Sequence, residues 1–195
     1  MSLPQAVRLV AFLNLAYFAV EFSVGLAIGS VSLFADSIDF LEDAAVNFLV
    51  LIALGWNPRR RAMVGMALAG VLLIPALATL WMAWQKFAVP APPAPLLLSA
   101  TGLGALAVNL YCAGILVRHR GESGSLSKAA FVTARNDAVA KVAIIVAGIV
   151  TAAHPSGWPD LVVGAGIAIL NADAAWEVYR AARTERRSPS ASIVP

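Results

Sequence analysis

Apolar stretches of roughly bilayer length follow one another from end to end of this chain, parted only by short polar or proline-rich breaks. Each crossing of a membrane takes about 20 mostly apolar residues. Lipid offers no partner to backbone N–H and C=O groups, so stretches of this kind must be helices. Breaks and charges predict six helices, near 5–28, 31–55, 61–84, 95–117, 128–152 and 159–181. Only 13% of the 195 residues are charged, against roughly 25% in a soluble domain, and the apolar excess leaves no aqueous domain to cut out. The expectation is an all-α, multi-pass integral membrane protein with a single domain over residues 1–187, in the plasma (inner) membrane. The first segment lacks a basic start and a small-residue cleavage site, and it holds Asn14 and Glu21, so it does not read as a cleaved signal peptide.

The breaks carry the orientation. Helices 1 and 2 are joined by a very short turn at Gly29-Ser30, and Trp56-Asn57-Pro58 with Arg59, Arg60 and Arg61 separates helices 2 and 3. A stiff connector, Pro90 to Pro95, precedes helix 4. Arg118, Arg120 and Lys128 bound the fourth loop, while Arg183, Arg186 and Arg187 follow helix 6. On the opposite side, the first and fifth loops have no basic residue and the third has only Lys86. Basic loops stay in the cytoplasm, so both termini are predicted to lie there. Residues 188–195 read as a disordered tail, too short for a further cytoplasmic domain.

Several function classes fall away. The single cysteine, Cys112, excludes an internal disulfide or a cysteine metal cluster and reads as a small core residue. His119 and His154 lie in polar connections and read as solvated. The positive charge follows the loop bias, with no basic stripe for nucleic acid. No nucleophile–base pair or cofactor loop indicates an enzyme, and no cofactor is expected. Lipid is the partner that the composition requires.

What remains is a set of polar residues inside the spans. Helix 2 carries Asp36, Asp39, Glu42, Asp43 and Asn47 within an otherwise apolar run, and Asp36, Asp39, Asp43 and Asn47 form one stripe. Glu42 lies about 100° around from Asp43 and faces a different neighbour. Helix 1 has a stripe of Asn14, Tyr17 and Glu21, and helix 5 one of Thr133, Asp137 and Lys141, beside Arg135 and Asn136. Intramembrane ionisable residues face a bundle interior or a water-filled path and commonly mark ion pathways. Counting residues from the helix ends places Asp43 and Asp137 near the midplane, where a cation held between helices 2 and 5 would meet carboxylate oxygens. Lys141, one turn from Asp137, has two roles open to it: an ion pair with that carboxylate, or a counter-charge when the cation leaves. Glu21 and Asp36 read as supporting hydrogen-bond groups or a proton path.

The run Gly29-Ser30-Val31-Ser32-Leu33-Phe34-Ala35-Asp36-Ser37-Ile38-Asp39-Phe40-Leu41-Glu42-Asp43 resembles the second-helix motif of the cation diffusion facilitators, a glycine-serine turn, an alanine-aspartate and two ligands four apart. Thr133 to Asp137 resembles the partner motif on helix 5, and Pro159 to Arg180 resembles the family's last span. The resemblance covers the whole chain. It implies a cation-efflux transmembrane bundle with Asp39, Asp43, Asp137 and Thr133 as metal ligands, the threonine standing where the family has a His or Asp. It also implies a short form without the cytoplasmic metal-binding domain, and a homodimer. Glu21, Asp36, Glu42, Asn47, Asn136 and Lys141 would be supporting or proton-path residues.

The function expected on this basis is secondary transport of a divalent cation, efflux by proton antiport. Oxygen ligation favours hard ions such as Mn²⁺ or Mg²⁺, while Asp-rich relatives also handle zinc, cobalt, cadmium or iron. The alternative is a membrane scaffold or metal sensor that keeps the fold without turnover.

Overall fold

The computed structural model describes residues 2–53, 58–118 and 125–171, which form six helices with no strand among the described residues. These are α1 (Leu3–Ile28), α2 (Val31–Ala53), α3 (Pro58–Ala88), α4 (Pro95–Val117) and α5 (Ser125–Ala153), then α6 (Trp158–Asn171). The architecture is the all-helical one expected from the apolar runs. Leu3–Ile28, Pro95–Val117 and Asn136–Ala153 are each long and apolar enough to cross a membrane. α2 is as long as α4 but carries four carboxylates.

α3 starts at Pro58 rather than 61 and ends at Ala88 rather than 84. A proline at the first helical position forfeits no hydrogen bond, and Trp84 to Phe87 can remain helical with polar tips at an interface. α5 starts at Ser125 rather than 128. Outside the described residues lie Met1; 54–57, with the expected end of helix 2, Trp56 and Asn57; 119–124, with His119 and Arg120; and 172–195, with the end of the expected sixth span, Arg183, Arg186, Arg187 and the 188–195 tail.

The distribution of side chains is inverted relative to a soluble domain. Leu96 and Trp84 are 81% and 71% exposed, whereas Lys141, Glu21 and Asp36 are almost wholly enclosed. Apolar surfaces turned outward and charges turned inward are what a lipid solvent selects.

α2 is the hub. It packs against α1, α3, α4 and α5, and α6 approaches so closely that a Cβ at Gly164 would lie 2.7 Å from the Ser32 nitrogen. One core joins Leu33 and Ala35 of α2 to Leu98 of α4, Ile144 of α5 and Ile167 of α6. A second joins Ala6 and Val10 of α1 to Cys112 and Ile115 of α4. The α1–α2 hairpin turns on Gly29, whose φ of +63° is left-handed. Ser30 N–H closes on the Gly25 carbonyl at 2.8 Å and Gly29 N–H on the Leu26 carbonyl at 3.3 Å. This pairing ends α1 in a Schellman motif and lets α2 begin at once.

Candidate functional site

The polar side chains fall into three groups along α2. At its first turn lies Asp160 of α6, fully buried. Its carboxylate accepts from the Ser30 and Ser32 hydroxyls, each at 2.6 Å, and from the backbone N–H groups of Val31 and Ser32 at 2.9 and 3.1 Å. Lys86 of α3 stands 2.9 Å from Asp160 Oδ2 and donates to the Gly29 carbonyl at 2.5 Å. The first N–H groups of a helix have no partner within it, and their positive end of the macrodipole attracts a carboxylate. Ser30 Oγ accepts from Leu33 N–H at 3.2 Å, a conventional N-cap bond. One side chain of α6 thus holds the α1–α2 turn and α3 together. Phe87 and Trp158 pack edge to face beside it, centroids 5.4 Å apart, as aromatics do at a membrane boundary.

The second group is enclosed in the bundle. Lys141 of α5 donates to Asp36 Oδ1 of α2 at 3.0 Å, with side chains 2% and 0% exposed. Its ammonium lies 4.8 Å from the centre of the Phe40 ring, a cation–π contact. Glu21 of α1 completes the group, 0% exposed and on the helix that packs along α2. Among the described residues, neither Glu21 oxygen, nor Asp36 Oδ2, has a hydrogen-bond donor. One turn before Glu21, the Tyr17 hydroxyl donates to the Thr101 carbonyl of α4 at 2.6 Å, in space that a side chain at Gly104 would fill. Asn14, farther along the same stripe, is also buried. Two carboxylates thus face one ammonium, and an unmatched charge at a helix centre costs roughly 2.5–3.5 kcal/mol on insertion scales.

The third group holds the residues that the resemblance marks as ligands. At 1.5 Å per residue from Val31, Asp36, Asp39 and Asp43 lie about 8, 12 and 18 Å along α2. Asp39, Glu42, Asp43 and Asp137 are half-buried. Asp137 of α5 is close enough for its charge to act on Asp39, Glu42 and Asp43 of α2, with Asn109 of α4 nearby. Asn47 is engaged locally, its amide donating to the Asp43 carbonyl at 2.7 Å, and Asn136 is exposed. The side chains of Thr133 and Arg135 lie outside the described residues, although α5 includes both positions. Among the described residues, no three His, Cys, Asp or Glu side chains stand together closely enough to hold a metal ion.

Helix spacing alone placed Lys141 over Asp137. The structure takes its ammonium across to Asp36 on the neighbouring helix instead. Nothing in the spacing of the sequence singles out Asp160, which falls at the start of the expected sixth span. The signals that point to it are the Ser30-x-Ser32 start of α2, an acid just after Pro159, and the sole basic residue of the third loop. All three lie at helix ends that meet at one end of the bundle.

The family model for the cation efflux transmembrane domain matches residues 7–185. The match spans all six helices and all three polar groups.

Proposed function

The chain belongs to the cation efflux family, whose members are cation transporters, and we propose that it exports divalent metal cations in exchange for protons. The ligands in this reading are Asp39 and Asp43 of α2, Asp137 of α5 and the Thr133 hydroxyl. The observation that carries it is a set of half-buried carboxylates on α2 and α5, two helices in contact within a membrane bundle. Like charges in hydrocarbon repel unless a cation or protons lie between them. A dication that draws α5 toward α2 would satisfy several oxygens at once. A ligand carboxylate must be ionised to bind, so acidification favours release. Sites within the membrane that open alternately to each side are the working principle of secondary transporters. An all-oxygen donor set favours Mn²⁺ or Mg²⁺, with zinc, cobalt, cadmium and iron as competitors to be compared. The reading is completed by a homodimer in the plasma (inner) membrane, both termini cytoplasmic.

Flux in proteoliposomes across a panel of divalent metals, with and without an imposed proton gradient, is the test. Asp43→Asn and Asp137→Asn should each abolish metal-dependent flux while inserting normally. Wild-type rates in both variants would refute the ligand assignment.

One observation favours a second reading, a metal sensor or scaffold. The Lys141–Asp36 pair pins α5 to α2 beside the proposed ligands, and pinned helices do not alternate. Thermal stabilisation by a metal without any flux would select this reading.

A further inference from the structure

Glu21 is enclosed completely, and among the described residues both its oxygens lack a donor although Lys141 already serves the neighbouring Asp36. Gly25, one turn after Glu21, packs so closely on α2 that a Cβ there would lie 3.1 Å from the Phe34 nitrogen, and in this antiparallel hairpin Glu21 falls level with Asp36. When both are ionised, their facing oxygens are all acceptors and no bond forms between them. A single proton changes this, because a carboxyl group on Glu21 then donates to Asp36 Oδ2 while Asp36 Oδ1 keeps its bond from Lys141. The group of two acids and one ammonium becomes electrically neutral with that proton.

We propose that Glu21 and Asp36 share one exchangeable proton against the fixed charge of Lys141, forming a proton-binding site separate from the cation-ligating carboxylates. The groups that face Glu21 are consistent with a proton as occupant. α2 presents Asp36 and Asp39, α5 presents Lys141, and Tyr17 on its own helix has its hydroxyl committed to the Thr101 carbonyl of α4. The ammonium fills the place a metal would need at Asp36. The proton's loss leaves Glu21 ionised and returns one negative charge to the group; its recapture restores neutrality.

The site's existence does not depend on the antiport reading. Its use in coupling does, since a proton held by Glu21 while metal is bound elsewhere would let the two be exchanged. Infrared difference spectra of the protein in lipid nanodiscs at neutral pH, in H₂O and D₂O, test the site. With the metal site occupied, the carbonyl band of a protonated carboxyl group, shifted by deuteration, is expected in wild type and in Glu21→Asp, and the component it contributes should be lost in Glu21→Gln. Lys141→Met removes the counter-charge, both acids are then protonated, and the band should grow about twofold. Absence of the band in wild type, or its persistence unchanged in Glu21→Gln, overturns the proposal. Proton-driven metal uptake in proteoliposomes is read in parallel. A wild type with the band but without proton-coupled uptake sinks the antiport reading and leaves the proton site standing. A wild type with coupled uptake but no band does the reverse.

Discussion

Lys141 is the residue on which the interior balance turns. Its four-carbon stem allows an ammonium rooted on α5 to reach α2, so its position in the helical stripe did not reveal its partner. Spacing along a helix limits which side chains share a face, but a long flexible side chain chooses among the acids within its radius. Asp36 offers an oxygen on the most buried stretch of α2 and a nearby aromatic ring, whereas Asp137 is half-buried and has Asn109 as a neighbour. Removing one member of a buried pair is costly because the other is left uncompensated. Lys141→Met should therefore lower stability by about 3–5 kcal/mol, read from unfolding in detergent. Asp36→Asn added to Lys141→Met should recover part of that loss, since one acid fewer must then take up a proton to stay buried. Purely additive losses would mean that the two side chains do not interact.

At the scale of elements, α2 begins where a carboxylate from α6 completes its first turn. This arrangement was hard to read from the chain, because 128 residues separate Ser32 from Asp160 and neither belongs to a helical stripe. The ligand-like residues of α2 were legible because their spacing is local and carboxylates stand out against an apolar run. The capping acid was not, because a Pro-Asp before a helix is an ordinary way to start one. Asp160→Asn keeps the shape but removes the charge that serves Lys86 and the α2 amides. A loss of about 2–4 kcal/mol is expected in thermal unfolding, from weakened charge-assisted bonds and an unpaired lysine. Gly164→Leu tests the close approach from the other direction. Its Cβ would lie 2.7 Å from the Val31 carbonyl carbon, so α6 must shift away, costing about 1–3 kcal/mol. If Gly164→Leu unfolds like wild type, α6 does not pack on α2 as described.

For the whole molecule, the six-helix plan was legible because lipid permits so few solutions. Long apolar runs must be helices, and short breaks make consecutive helices antiparallel neighbours. The α1–α2 and α4–α5 pairs follow that rule. How the other helices would be arranged was not legible, since an apolar surface facing lipid and one facing a neighbour have the same composition. Only α2, with four acids, had to be central, and it touches every other helix. The loops after α1, α3 and α5 meet at one end: Lys86 and Asp160 bond to the first turn, and a Cβ at Gly157 would crowd Pro90. Basic residues crowd the breaks at the other end, so this end is expected to face outward. The chain supplies its own silent background for the test, because Cys112 is its one cysteine and is only 4% exposed. In right-side-out vesicles, a membrane-impermeant thiol reagent should label Ala91→Cys, in the exposed connector before α4, and spare Ser2→Cys at the start of α1. Labelling of Ser2→Cys alone would invert the bundle. The proposed export would then have its cytoplasmic mouth at the Asp160 end, and a proton taken up by Glu21 would come from the opposite compartment.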